Sequence, residues 1–430
     1  MKSSKIIILT GLLIAISIFS FQFAFSVKNV IESPSWFYEA PNEFICVDIS
    51  TDGQYIVAGT EDFKVYLFHY SSSTPIWTFE SDDLISHIAI SSDGNYIVAA
   101  RYSREFYVFN RSDPTPLWEF DVGSNLIIQS LAISSEGQYL AVVYDKLYFF
   151  NISSYLLWNT NFTARNVALS SNGHYIALSG QDDKQYLLNY TSPTPMWSYE
   201  TGSIITVSIS ANGDYIVAGQ TTALPSTYGR VYVFNRYSST PMWFYDYSCE
   251  VSAVDISADG NYIVTGGYNG NICLFKTTDS TPIWNYRTEG EIRSSSINYD
   301  GAYLICENYN SHVYVFHRSN SIPIWTFEDY YSYIGDVFKH TTAISSSGRY
   351  LSFTSYDVYF IDITNPLIIT NLIEYITTNL MILGYEFLIS IWLYQFITKY
   401  IVYKKQKRDK LKADLKARRN NSLIFFILLL

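Results

Sequence analysis

The chain is poor in the residue types that carry chemistry. Only 4 of its 430 residues are cysteine. They stand at Cys46, Cys249, Cys273 and Cys306, with no Cys-x-x-Cys pair and no close histidine partner. Thiol-zinc and thioredoxin-like chemistry therefore lack their ligands, and disulfides are too sparse to be the scaffold. The cysteines are expected to be mostly small buried residues. The 6 histidines, His69, His87, His174, His312, His317 and His340, are scattered without metal-ligand spacing. Acidic pairs at Glu61-Asp62, Asp82-Asp83 and Asp182-Asp183 lie in turn-like stretches that lack a calcium-loop signature. No Gly-x-Ser-x-Gly, phosphate loop or dinucleotide fingerprint occurs. The sequence thus predicts no catalytic residue, no metal site and no cofactor.

Charge is also scarce, at 16 % of residues, whereas aromatic residues reach 17 %, with 39 Tyr and 9 Trp. That balance suits many short strands better than helices, which would draw on Ala, Leu, Glu and Lys. The net charge of −11 hides an asymmetry. Residues 27–366 hold 16 Lys and Arg against 35 Asp and Glu, a local −19. Such a body repels a phosphate backbone, so no nucleic-acid partner is expected. Residues 404–419 hold 9 basic residues against 2 acids, a local +7.

Both ends point to a membrane. Lys2 and Lys5 precede an uncharged, largely apolar run from Ile6 to Phe25, which reads residues 1–26 as a signal peptide or signal-anchor. Ala24 and Ser26 suit a cleavage after Ser26. Residues 380–403 are long enough to span as a transmembrane helix, with Glu386 and Lys399 towards its ends. The basic tail 404–430 that follows marks the cytoplasmic side. The expected localisation is the cell membrane, with the body on the extracytoplasmic side. The sequons at Asn110, Asn151, Asn161 and Asn189 are compatible with that location.

One phrase recurs through the body: apolar strand, Ile-Ser-x-Asp-Gly-x-Tyr, second strand, turn, third strand ending in Phe, then Ser-x-Thr-Pro-x-Trp. Its turn glycines are Gly53, Gly94, Gly137, Gly173, Gly213, Gly260, Gly301 and Gly348, spaced 41, 43, 36, 40, 47, 41 and 47 apart. A tyrosine follows each by two positions, from Tyr55 to Tyr350. The tryptophans keep the same rhythm: Trp36, Trp77, Trp118, Trp158, Trp197, Trp243, Trp284 and Trp325. Asp-Gly and Asn-Gly supply the positive φ of a tight turn. The proline before tryptophan cannot donate to a ladder, which places the Trp strand at a sheet edge. A period near forty with four strands per unit is the signature of a β-propeller.

The stretch Val254-Asp255-Ile256-Ser257-Ala258-Asp259-Gly260-Asn261-Tyr262-Ile263-Val264 resembles the first two strands of a WD40 repeat. The third strand departs from it, ending in Phe68-His69, Phe109-Asn110, Phe234-Asn235 or Phe316-His317 where that family has Trp-Asp. The Pro-x-Trp strand instead resembles the tryptophan-docking strand of quinoprotein (PQQ)-like propellers. The resemblance covers residues 34 to about 363 and implies fold more than function. Trp36 precedes the first glycine unit and no tryptophan follows Val358-Tyr359-Phe360. The expectation is therefore an all-β domain at 34–363: an eight-bladed propeller whose last blade takes residues 34–39 as its outer strand. Seven blades result if the fourth or eighth unit is degenerate.

With strands named a to d in order, the a–b and c–d connections share one face, and b–c and d–a share the other. The chain enters and leaves on the first. The long connections, Thr221 to Gly229 and Asp329 to His340, belong to the second, and insertions gathered on one face mark a binding surface. Its candidate contact residues are Tyr228, Tyr245, Tyr247, Tyr330, Tyr331, Tyr333 and Phe338. The function expected is a membrane-tethered module, not an enzyme, that binds a protein or glycan. The rivals are a structural envelope component and a quinoprotein-like oxidoreductase. That family's enzymes carry a vicinal disulfide, and this chain has no adjacent cysteines.

Overall fold

The computed structural model describes residues 34–123, 127–153, 155–221, 228–328 and 341–364, with Lys399, Lys404, Lys405, Lys407 and Arg408. The chain divides into two compact units, Met1–Asn365 and Pro366–Leu430. In the second, the few described residues are helical and exposed. The expected segments 1–26 and 380–403 and most of 404–430 lie outside the described residues. Among the described residues no helix is long and apolar enough to cross a membrane.

In the first unit of the body, Phe44–Ile49 is strand a, Tyr55–Thr60 strand b, Lys64–His69 strand c and Trp77–Glu80 strand d. The motif builds its own turn. Ser50 Oγ donates to Asp52 at 2.6 Å and accepts the Tyr55 amide at 3.0 Å, with Gly53 at φ 74°. Ser91, Ser134, Ser170, Ser210, Ser257 and Ser345 repeat that second bond, and Asn298 replaces serine in the seventh unit. Strands b and c are buried on both sides, which is why Tyr55-Ile56-Val57-Ala58 is a continuous apolar run. The d strands alternate half-buried with exposed residues, as an edge does.

Among the described residues these antiparallel strands form seven hydrogen-bonded sheets, six of four strands and one of seven. The long sheet holds the Gly137 and Gly173 units, fused because Tyr155–Leu169 serves as outer strand of one and inner strand of the next. The cause is local. Those two glycines show the shortest spacing, 36 residues, and the intervening Tyr155-Leu156-Leu157-Trp158 lacks proline. No residues remain for a d–a loop.

Two circuits close the ring. Around the a–b turns, Thr51 N–H donates to Ser92 C=O, Ser92 to Ser135, Ser135 to Ser171, Ser171 to Ala211 and Ala211 to Ala258. Asp259 then donates to Tyr299, Tyr299 to Ser346, and Ser346 back to Thr51. Beside it each turn glycine sits against the tyrosine of the unit before. A Cβ on Gly94 would stand 2.7 Å from Tyr55, and one on Gly53 would stand 2.2 Å from Tyr350. The seam itself is made by Trp36–Tyr38, which pairs antiparallel with Val358–Asp362. Trp36 lies opposite Phe360, the rings stacked at 5.1 Å. The expected closure by the beginning of the domain is present.

Candidate functional site

The two faces are built differently. The a–b and c–d face is taken up by structural contacts. Besides the circuits, the Tyr55, Tyr175, Tyr262 and Tyr350 rings are covered by Arg111, Arg236, Arg318 and Arg349, with guanidinium carbons 4.3–4.9 Å from the centroids. The last residue of strand c caps the c–d turn. Asn110, Asn151 and Asn189 accept the amides of Ser112, Ser153 and Thr191, and His69 and His317 bond Ser71 and Ser319. Three of the four sequons and two of the histidines are thereby accounted for by turn geometry.

The b–c and d–a face is open and polar. A depression of about 510 Å³ is lined by Gln220, Tyr228, Gly229, Arg230 and Asp246, with Arg230 paired to Asp246 at 2.6 Å. A second of about 350 Å³ lies among Gln129, Arg165, Asn166, Gln181 and Ile205, at the ends of inner strands. A third, of about 120 Å³, lies between the sixth and seventh units. All three described cavities share this face.

Of the expected contact residues, Tyr228 is exposed and borders the depression of about 510 Å³. Tyr245 and Tyr247 were expected in an outward loop, and the structure places them in the strand Trp243–Tyr247. The insertion before Gly229 lengthens the c–d hairpin, so that Gly229 pairs with Tyr247. Tyr245 packs on Phe275 at 5.2 Å, and Tyr247 is buried, its hydroxyl bonded to Thr265 at 2.7 Å. Burial removes Tyr247 from any contact surface. Tyr330, Tyr331, Tyr333 and Phe338 lie outside the described residues.

The eight motif tryptophans are packing residues. Seven donate Nε1–H to the carbonyl that follows strand c of the next unit, as Trp77 does to Arg111 at 2.7 Å. Trp325 is buried, and among the described residues its Nε1 has no acceptor. All four cysteines are free, and burial pushes the Cys46 and Cys273 thiols up to about 12 and about 11. Such thiols stay protonated and unreactive. Among the described residues no group of three His, Cys, Asp or Glu could hold a metal.

Sequence reading passed over two carboxylates. Asp48 Oδ2 accepts the amide of Ile90 in the next unit at 2.9 Å, and Asp255 Oδ2 accepts that of Ile297 at 3.0 Å. Asp255 also accepts the Ser208 hydroxyl of the preceding unit at 2.8 Å. Burial pushes both carboxyls up to about 6. The signal was legible, since most other units place alanine two residues before the motif serine or asparagine where these have aspartate.

The model of the WD domain, G-beta repeat, matches residues 33–69 and 240–276. These residues include the seam strand with strands a to c of the first unit, and the outer strand of the fifth unit with strands a to c of the sixth. The chain has the β-propeller fold of WD40 domains. The C-terminal WD40 domain of Sif2 has a similar fold, with TM-score 0.64 at 14% identity, covering 78% of this chain and 99% of that one. Sqt1 of Chaetomium thermophilum, solved bound to the N-terminus of the ribosomal protein L10, aligns with TM-score 0.63 at 13% identity, covering 77% and 100%. No curated protein matches the chain. Where a WD40 repeat has Trp-Asp at the end of the third strand, this chain has Phe68-His69, Phe109-Asn110, Phe234-Asn235 and Phe316-His317, and His69 and Asn110 cap the turn that follows.

Proposed function

We propose that this propeller is a non-catalytic interaction module whose b–c and d–a face binds a protein partner. The observation that carries the reading is the asymmetry of the faces: the described cavities fall on one, while turn packing occupies the other. The WD40-type fold supports an interaction or scaffold role, and Sqt1 offers a propeller of this fold bound to a protein segment. We count the fused sheet as two blades, which makes eight, because its halves carry separate turn motifs and separate tryptophans. Residues 1–26, 380–403 and the basic tail favour a membrane tether with the propeller on the extracytoplasmic side.

The test is affinity capture from native membranes with the full chain. Tyr228→Ala on the cavity-bearing face is compared with Tyr237→Ala, also exposed, on the other. Partner loss confined to the first variant supports the reading. Equal capture by both variants, or loss confined to Tyr237→Ala, turns the reading towards a structural envelope component. Release of the chain by alkaline carbonate would remove the tether.

A further inference from the structure

On the cavity-bearing face, strands c and d of each unit end in a notch against the outer strand of the unit before. Residues two apart on c share that side of the sheet. They are Lys64 and Tyr66 in the first unit, Lys146 and Tyr148 in the third, Lys184 and Tyr186 in the fourth, and Arg230 and Tyr232 in the fifth. The second unit reaches the same end with Arg101, which lies 3.5 Å from the Tyr107 hydroxyl and pairs with Glu105 and with Asp82. In these five units the chain supplies its own cation. Lys64 meets Asp62 at 2.6 Å, Lys184 meets Asp182 at 3.9 Å, Arg230 meets Asp246 at 2.6 Å, and Lys146 lies 5.3 Å from the Tyr148 ring.

The seventh unit breaks the pattern. His312 stands where the lysine would be, opposite Glu328 in register. Tyr314 is 8 % exposed, its ring stacked beside Phe316. Tyr286 of the preceding outer strand packs 5.8 Å away. Between them lies the cavity of about 120 Å³, with Glu289, Thr326 and Glu328 in its wall. Among the described residues no lysine or arginine pairs with Glu289 or Glu328. Arg287 also borders the space, but it follows Tyr286 along the strand and so leaves by the opposite face. Burial, reinforced by Tyr286 and the two carboxylates, pushes the Tyr314 hydroxyl's pKa up and keeps it neutral.

We propose that this notch receives a lysine or arginine side chain of the bound protein, which takes the place of the cation that five other units carry themselves. Two carboxylates and two tyrosine rings offer such a head both charge and π-faces. The acidic balance of the body, 16 basic residues against 35 acidic in 27–366, draws a basic segment to it. The inference rests on the interaction-face reading and names the chemistry of the partner.

The full chain is titrated at low salt with the peptide Ac-Gly-Arg-Gly-NH2 and with its citrulline counterpart, which keeps the shape and removes the charge. The arginine peptide should bind at least tenfold more tightly. His312→Lys gives the seventh unit its own cation and should weaken arginine binding at least tenfold while Tm holds or rises. Glu328→Gln, nearly isosteric, should weaken it similarly. Equal affinity for the two peptides, or undiminished arginine binding by either variant, overturns the proposal. Partner capture that depends on Tyr228 but ignores His312→Lys overturns the notch and leaves the interaction face standing. Arginine selectivity lost in His312→Lys, in a chain whose partner capture is indifferent to Tyr228, sustains the notch and sinks the wider face.

Discussion

At Gly213 and Gly123 the same substitution meets two different surroundings. Both glycines have positive φ, at 73° and 71°. A Cβ on Gly213 would stand 2.5 Å from Tyr175, whereas nothing lies within 4 Å of one on Gly123. Gly123→Ala should therefore cost only about 1 kcal/mol, the backbone penalty. Gly213→Ala should cost about 2–4 kcal/mol, because it adds a clash with a ring held between neighbouring units. Urea denaturation of the two variants measures the difference, and equal losses would mean that the Gly–Tyr contact carries no energy. A second prediction at this scale concerns Asp48 and Asp255, whose carboxyls burial holds up at about 6. Between about pH 4 and pH 6 the folded chain keeps protons that the unfolded chain has released. The stability they confer is complete below the unfolded value and is lost as pH rises through 6. Both groups are half-buried, so each should contribute about 1–2 kcal/mol between pH 5 and pH 7. Relative to Asp48→Asn/Asp255→Asn, the parent chain should lose more stability on going from pH 5 to pH 7. Parallel pH profiles would show that these groups do not titrate in that range.

Within the outer strands, the indole latch separates two otherwise equivalent tryptophans. Trp77→Phe removes a hydrogen bond to Arg111 and orphans that carbonyl, so a loss of about 1–2 kcal/mol is expected. Trp325→Phe deletes a buried N–H that has no acceptor among the described residues and should cost less than half as much. Thermal denaturation of both variants checks this, and a larger loss at Trp325 would contradict the orphaned geometry. The elements were legible from the sequence because their causes are local: serine and aspartate build the turn, glycine supplies its φ, and proline marks the edge. Even the Trp36–Phe360 seam could be read, since tryptophan strands and glycine units fell out of step by one. The fused strand Tyr155–Leu169 could not, because the phrase records strands and says nothing of whether residues remain between them. Tyr245 and Tyr247 were misplaced for a related reason: an insertion can lengthen a hairpin as readily as a loop. The notch at Tyr314 was invisible in a different way, since it depends on which cation is missing from a position that only the packed neighbour defines.

For the whole ring, the seam is the one place among the described residues where sheet closure joins distant parts of the chain. Everywhere else an outer strand follows its inner neighbours in sequence, but Trp36–Tyr38 meets Val358–Asp362 across more than 300 residues. A long-range contact of that kind costs loop-closure entropy and is formed for what it buries. Without it, the last sheet has a bare edge, and the Trp36 face of Phe360 is open to water. The core formed by Phe44, Tyr66, Phe68, Val358 and Phe360 also loses Trp36 and Tyr38 from its side. The backbone circuit would still run from Ser346 to Thr51, so the ring should stay assembled but frayed at one unit. A chain beginning at residue 40 is therefore expected to show a Tm lowered by several degrees, against no change for one beginning at residue 33. Limited proteolysis should cut it first within 341–364, the strands that have lost their partner. Restoring residues 34–39 as a separate peptide should protect those sites, because strand addition to an open edge needs only the matching register. Identical Tm and cleavage patterns for the two truncations would mean that the seam closes the ring without stabilising it.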